Sequence, residues 1–156
     1  MTFHEAYLGK RLQDLLGLSH QQMQQVYEQR GLVIPVEGSS TLQALAPGAR
    51  LALADLSRDL GQPHQLVAQR LRKLAALELV KSQPDQNDRR RTEYVLTPRG
   101  EDQWRLLDAL MNEAVEVNRA LFAEIGVDLI SGLEAATEAL EQRSFLERFT
   151  RHSPKS

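Results

Sequence analysis

The chain is 156 residues long, with 42% hydrophobic and 26% charged residues and a formal net charge of −2, the profile of an ordinary soluble globular protein. It has no cysteine, which excludes disulfide staples, thiolate metal ligands and switching by thiol oxidation. No apolar run approaches the roughly 18 to 20 residues needed to span a bilayer, and the first residues lack a basic segment followed by an apolar one, so a cytoplasmic protein is the expectation.

From Leu8 to Tyr27 apolar residues recur three or four apart, the period of an amphipathic helix. Gly17 interrupts the pattern and Ser19 suits a new start, so one long helix and two shorter ones both fit. Gly31 suits a helix C-terminus, and residues 33–36 read as an extended connector because Pro35 disfavours helix in the residue before it. Residues 39–45 read as a short serine-capped helix stopped by Pro47-Gly48. Residues 51–53 are a candidate small strand, and residues 54–60 a short helix closed by Gly61.

The next helix, about 62–77, has Pro63 in its first turn and a buried stripe of Leu66, Val67, Leu71, Leu74 and Leu77. Residues 80–83 and 92–97 read as a hairpin whose tip, 84–91, ends in three consecutive arginines. Thr97-Pro98 then opens a long helix. Trp104, Leu107, Met111, Ala114, Leu121 and Ile125 form one apolar stripe on it; Leu106, Leu110 and Val117 form another, implying partners on two sides. Gly126-Val127-Asp128 is a break. Leu129, Ile130, Leu133, Ala136, Leu140 and Phe145 make a last amphipathic helix, and the tail from Ser153 is expected to fray.

Charge is segregated along the chain. Residues 62–99 hold eight Lys/Arg against four Asp/Glu, whereas residues 100–149 hold four Arg against eleven Asp/Glu. A local basic face, not the total, is the footprint to look for.

Three stretches resemble the MarR family of bacterial transcription regulators. They are Leu53-Ala54-Asp55-Leu56-Ser57-Arg58-Asp59-Leu60-Gly61, the following helix with Leu79-Val80, and above all Asp85-Gln86-Asn87-Asp88-Arg89-Arg90-Arg91 leading into Val95-Leu96-Thr97-Pro98-Arg99-Gly100. The resemblance implies a mainly α (α+β) fold. In it, a winged helix-turn-helix lobe over residues 38–100 is flanked by dimerisation helices over 1–32 and 101–152. The recognition helix is about 62–77 and the wing about 79–97. Two departures stand out: Glu78 occupies a position usually held by glycine, leaving a differently built turn open, and residues 33–48 match only loosely.

A major groove about 12 Å wide admits one helix, whose early outward residues reach base edges. His64, Gln65, Ala68 and Gln69 fall there. Arg70, Arg72 and Lys73 sit later and suit phosphate, unless one of them pairs with Glu78 or Asp59. In the wing the resemblance implies that Asp88 orients the guanidinium of Arg90 into the minor groove, with Arg89 and Arg91 flanking as phosphate contacts.

The implied function is sequence-specific binding of double-stranded DNA by a homodimeric repressor on a pseudo-palindromic operator, relieved by a small anionic or aromatic effector. Met23, Tyr27, Trp104 and Met111 are candidates to line an effector cleft, though residues on such stripes are commonly plain core. No cofactor is implied. His4, His20, His64 and His152 show no metal-ligand spacing, and no phosphate loop or nucleophile elbow points to an enzyme. The competing readings are a winged-helix protein–protein interaction module and a DNA-binding protein without an effector.

Overall fold

The computed structural model describes residues 6–152; His4 and the tail from Ser153 lie outside the described residues. The chain divides into two units, one ending at Leu110 and the other beginning at Met111.

In the first unit, α1 (Leu8–Gln29) runs unbroken through Gly17, so the single long helix is the one that forms. A mid-helix glycine costs about 1 kcal/mol, and a side chain there would meet nothing. Gly31, at φ 75°, ends the helix as expected. Pro35 is extended, a 3-10 turn covers Val36–Gly38, and α2 follows at Ser39–Ala44. The expected serine cap on α2 is not made. Ser39 Oγ instead donates to the Val36 carbonyl at 2.7 Å and takes the Tyr27 hydroxyl at 2.6 Å. This joins α1 to the turn.

Helix α3 (Leu53–Leu60) buries Leu56 and ends on Gly61 in the left-handed conformation. The expected strand at 51–53 shrinks to one residue. Leu51 exchanges backbone bonds with Tyr94 at 3.2 and 2.8 Å, but Leu53 already belongs to the helix. Helix α4 (His64–Ala76) starts one residue after Pro63, which serves as its N-cap rather than standing in its first turn. Val67, Leu71 and Leu74 are buried, while Leu66 and Leu77 are half-buried at the edges of the stripe.

The end of α4 settles the question raised by Glu78. Its N–H reaches the Ala75 carbonyl at 2.9 Å and that of Leu79 reaches Leu74 at 3.0 Å, the pattern of a glycine-type helix terminus. Glu78 adopts φ 59° to make it. The turn is therefore built in the usual way, at the strain of a side chain in the left-handed region.

Strands β1 (Val80–Pro84) and β2 (Thr92–Leu96) pair antiparallel, from Val80 opposite Leu96 to Pro84 opposite Thr92. Helix α5 (Pro98–Ile125) follows at once. Thr97 accepts the Gly100 N–H at 3.0 Å and donates to the Glu78 carbonyl at 2.6 Å, capping α5 and tying it to the end of α4. Gly100 is required for space: a Cβ there would sit 1.9 Å from the Leu79 carbonyl oxygen.

The core of this unit gathers Tyr27, Leu32, Ile34, Leu42, Leu45, Leu56, Val67, Leu71, Leu74, Leu79, Val80, Leu96, Leu107 and Leu110. Each such leucine contributes about 1.5–3 kcal/mol through burial. Buried Gln103 engages both ends of its amide, accepting from Val33 N–H at 2.8 Å and donating to the Gly31 carbonyl at 3.0 Å.

The second unit comprises the later turns of α5, then α6 (Leu129–Gln142) and α7 (Phe145–His152). Gly126 breaks the chain at φ 70°. Asp128 caps α6 by accepting from Ser131 N–H at 3.1 Å and Ser131 Oγ at 2.8 Å. Those bonds, the backbone one first, hold its carboxyl below the usual carboxylate range. The expected single last helix is two. Arg143 is extended, and Ser144 with Glu147 forms a reciprocal cap, Ser144 N–H to Glu147 at 2.8 Å and Glu147 N–H to Ser144 Oγ at 3.3 Å.

Candidate nucleic-acid interface

On α4, His64, Gln65, Gln69, Arg72 and Lys73 are exposed, while Ala68 and Arg70 are half-buried. Gln65, Gln69 and Arg72, spaced by four and three, lie opposite the stripe of Val67, Leu71 and Leu74. They form the outermost row of the helix. Arg70 does not join it, because its Nη1 donates to Gln62 Oε1 at 2.8 Å and draws the side chain back to the start of the helix. The alternative pairing of an α4 cation with Glu78 or Asp59 is not among the ion pairs of the described residues, and both acids have other partners. Arg99 stands 3.7 Å from Glu78, and Arg58 bonds Asp59 at 3.2 Å.

The wing tip is organised by its carboxylates. Asp85 accepts the N–H of Asn87 at 2.7 Å and that of Asp88 at 3.4 Å, turns that aspartate favours because its short side chain reaches backbone two residues on. These bonds, Asn87 first, hold the Asp85 carboxyl below its usual range. Asp88 Oδ1 accepts the backbone N–H of Arg90 at 3.0 Å. The loop is closed by Asp85 N–H to the Arg91 carbonyl at 2.8 Å and Arg91 N–H to the Asp88 carbonyl at 2.9 Å.

Asp88 and Arg90 do interact, but the carboxylate orients the Arg90 backbone and not its guanidinium. Arg89 and Arg90 are exposed at the apex, as the phosphate and groove roles require. Arg91 is placed differently: its Nη2 is bonded to Asp55 of α3. Asp55 also accepts the Ala52 N–H at 3.2 Å and Arg58 Nη2 at 3.3 Å. The Ala52 bond is the main cause of its lowered pKa; desolvation opposes it, and the Arg91 charge and bond and then the Arg58 charge add to the lowering. Sequence reasoning missed Asp55. Its place in the Leu-Ala-Asp-Leu stretch reads as a helix-start acid, and the wing contact spans thirty-six positions.

The four residues suggested for an effector cleft have ordinary structural duties where these are visible. Tyr27 is buried, its hydroxyl on Ser39, and burial raises its pKa. Trp104 Nε1 donates to the Gln43 carbonyl at 3.1 Å. Met23 and Met111 are half-buried. None of the four borders a cavity of about 190 Å³ that lies along α4 and is lined by Pro35, Glu37, Gly38, Leu66, Gln69, Arg70, Lys73 and Leu74.

Helices α3 and α4, the β1–β2 wing and a long exit helix, with polar residues outermost on α4 and arginines at the wing apex, form a winged helix-turn-helix, the fold that MarR-type regulators share. The chain belongs to the HxlR-like helix-turn-helix family, whose profile matches residues 42–120. Comparison with curated proteins returns no match. Among solved structures it is similar to a MarR family transcription regulator, at 20% identity and TM-score 0.56 over 98% of this chain and 99% of the other. It is also similar to the transcriptional regulator BldR from Sulfolobus solfataricus, at 16% identity and TM-score 0.61 over 90% and 96% of the two chains. A third likeness is MepR of S. aureus, solved in complex with DNA, at 22% identity and TM-score 0.51 over 81% and 98%. Such identities establish a shared fold. Among the described residues, no helix is long and apolar enough to cross a membrane.

Proposed function

We propose that the protein is a homodimeric repressor that reads a specific duplex sequence, with α4 in a major groove and the wing apex against the adjacent minor groove. The observation that carries this reading is the allocation of charge at the wing. Asp85 and Asp88 are engaged by backbone N–H groups, so the apex turns Arg89 and Arg90 outward at a fixed loop. A preformed loop lowers the ordering cost of binding.

On α4, Gln65 and Gln69 are suited to paired bonds with adenine, each worth roughly 1–3 kcal/mol of discrimination. His64 and Ala68 flank them in the first turns, and Arg72 and Lys73 suit phosphate. The homodimer is supported by apolar residues left uncovered on α1 (Leu8, Leu12, Leu15, Leu16) and in the second unit (Val117, Leu121, Ile130, Leu133). Two copies related by a dyad would address half-sites about 10–10.5 base pairs apart.

Relief by a small anionic effector is supported by the cavity along α4, which offers Arg70 and Lys73 to a carboxylate. An occupant there would contend with DNA for Gln69 and Lys73. Cytoplasmic residence follows from this role.

Selection of bound duplexes from a random pool tests the proposal. A recovered motif with two inverted half-sites one turn apart supports it. Absence of any duplex binding in dilute buffer would instead make the winged lobe a protein-docking module. Arg90→Ala should weaken duplex binding at least tenfold while leaving the melting temperature in place.

A further inference from the structure

The three wing arginines are chemically identical, yet the fold treats one of them differently. We infer that Arg91 is a positioning residue, held by Asp55 to fasten the wing to α3, and that only Arg89 and Arg90 of the triplet meet the duplex. The inference rests on the wing reading above.

A two-stranded hairpin is marginal by itself, so its pose depends on what ties it to the helices. Two ties are present. Leu51, just before α3, exchanges backbone bonds with Tyr94 of β2 at 3.2 and 2.8 Å. Three residues nearer the apex, Arg91 reaches Asp55 in the first turn of α3. The Asp55 side chain is only 22% exposed against 48% for Arg91, so the carboxylate end of the pair is partly shielded from water.

The Arg91 backbone is fixed from both sides as well, its N–H on Asp88 at 2.9 Å and its carbonyl on Asp85 at 2.8 Å. Backbone and guanidinium together leave this arginine little freedom to follow a phosphate. Arg89 and Arg90 carry the same charge two residues and one residue away, at the exposed turn. Asp55 thereby acts on DNA affinity without touching DNA.

Salt titrations of duplex binding by the full chain separate the roles. Each lost phosphate contact lowers the log–log salt slope by about 0.9. Arg89→Ala and Arg90→Ala should each show that drop. Arg91→Ala should weaken binding about tenfold with an unchanged slope. Asp55→Asn, which keeps an acceptor for the Ala52 N–H, should weaken it similarly, and the Asp55→Asn/Arg91→Ala double variant should bind no worse than the weaker single. Arg91→Gln, which keeps a hydrogen-bond donor for Asp55 but no charge, provides a second check should Arg91→Ala melt early, and its slope should also match the parent's. A slope drop for Arg91→Ala equal to its neighbours', or additive losses in the double variant, would overturn the inference alone. Unchanged slopes for all three arginines would overturn the wing reading and this inference with it.

Discussion

In the first unit Leu56 of α3 and Leu71 and Leu74 of α4 lie at or near zero exposure, whereas none of the described residues from 111 to 152 is buried. Both stretches are helical and both carry apolar residues at helical spacing. One region has enough neighbouring elements, namely α1, α2, the wing and the start of α5, to enclose its apolar face. The other keeps Leu133, Phe145, Leu146 and Phe149 largely in water. An amphipathic pattern thus announces that a face needs covering without saying whether the same chain supplies the cover. In the second unit the need is unmet within the described residues, and covering it is the part the proposed homodimer would play.

The sharpest way to break this contrast is inside the first unit. Gly100→Ala drives a Cβ to 1.9 Å from the Leu79 carbonyl oxygen, and the backbone of β1 or α5 must shift. Thermal unfolding should show a loss of about 4 kcal/mol or more, or no folded lobe; a near-neutral melt would show that the close approach relaxes freely.

Next in size is a paired substitution. Leu71→Ala removes a fully buried side chain and should cost about 2–5 kcal/mol at any protein concentration. Leu133→Ala, on a residue 47% exposed, should lower the melting temperature only where dilution also separates the subunits. Equal, concentration-independent losses would erase the distinction between the two units.

Smaller again is Glu78→Gly, which relieves a side chain held at φ 59°. It should stabilise the fold by about 1 kcal/mol in denaturant titrations. A loss would mean that the 3.7 Å approach of Arg99 to Glu78 outweighs the strain.

The smallest effect is acidification. Asp55 and Asp85 in the first unit and Asp128 in the second all have lowered carboxyl pKa values. A lowered folded value stabilises the native state above the ordinary aspartate value of about 3.9, and that contribution is lost as pH falls through the folded values. The melting temperature should stay level from neutral to about pH 5 and decline below about pH 4. Tyr27 acts at the other end. Its raised value makes its contribution complete below about pH 10 and lost as pH climbs beyond it.

Much of the DNA-binding lobe was legible in the sequence because its signals are local. Thr97-Pro98-Arg99-Gly100 announces a capped helix start, and the structure adds why the fourth residue is glycine. Gly31 and Gly61 punctuate helices where positive φ is needed. What escaped is either long-range or ambiguous at short range. Asp55 looks like any first-turn acid until β2 brings Arg91 beside it. The break at Ser144 had a readable cue in Ser144-x-x-Glu147, but apolar spacing through Phe145 suggested continuity. Ser39 suits a cap by residue type, yet Tyr27 and Val36 claim its hydroxyl. Asp88 accepts from the Arg90 backbone N–H here, and residue spacing cannot distinguish a backbone donor from a side-chain one.

The meeting of Gly100 with Leu79 has a mechanical side. Helix α5 meets Leu79, the residue just before β1, backbone to backbone there, with no side chain between them to flex and absorb a displacement. Thr97, bonded to both Glu78 and Gly100, closes the same joint from the other side. Any force that slides the first turn of α5 is passed undamped to the root of the hairpin, so helix and finger turn together like a key and its shank.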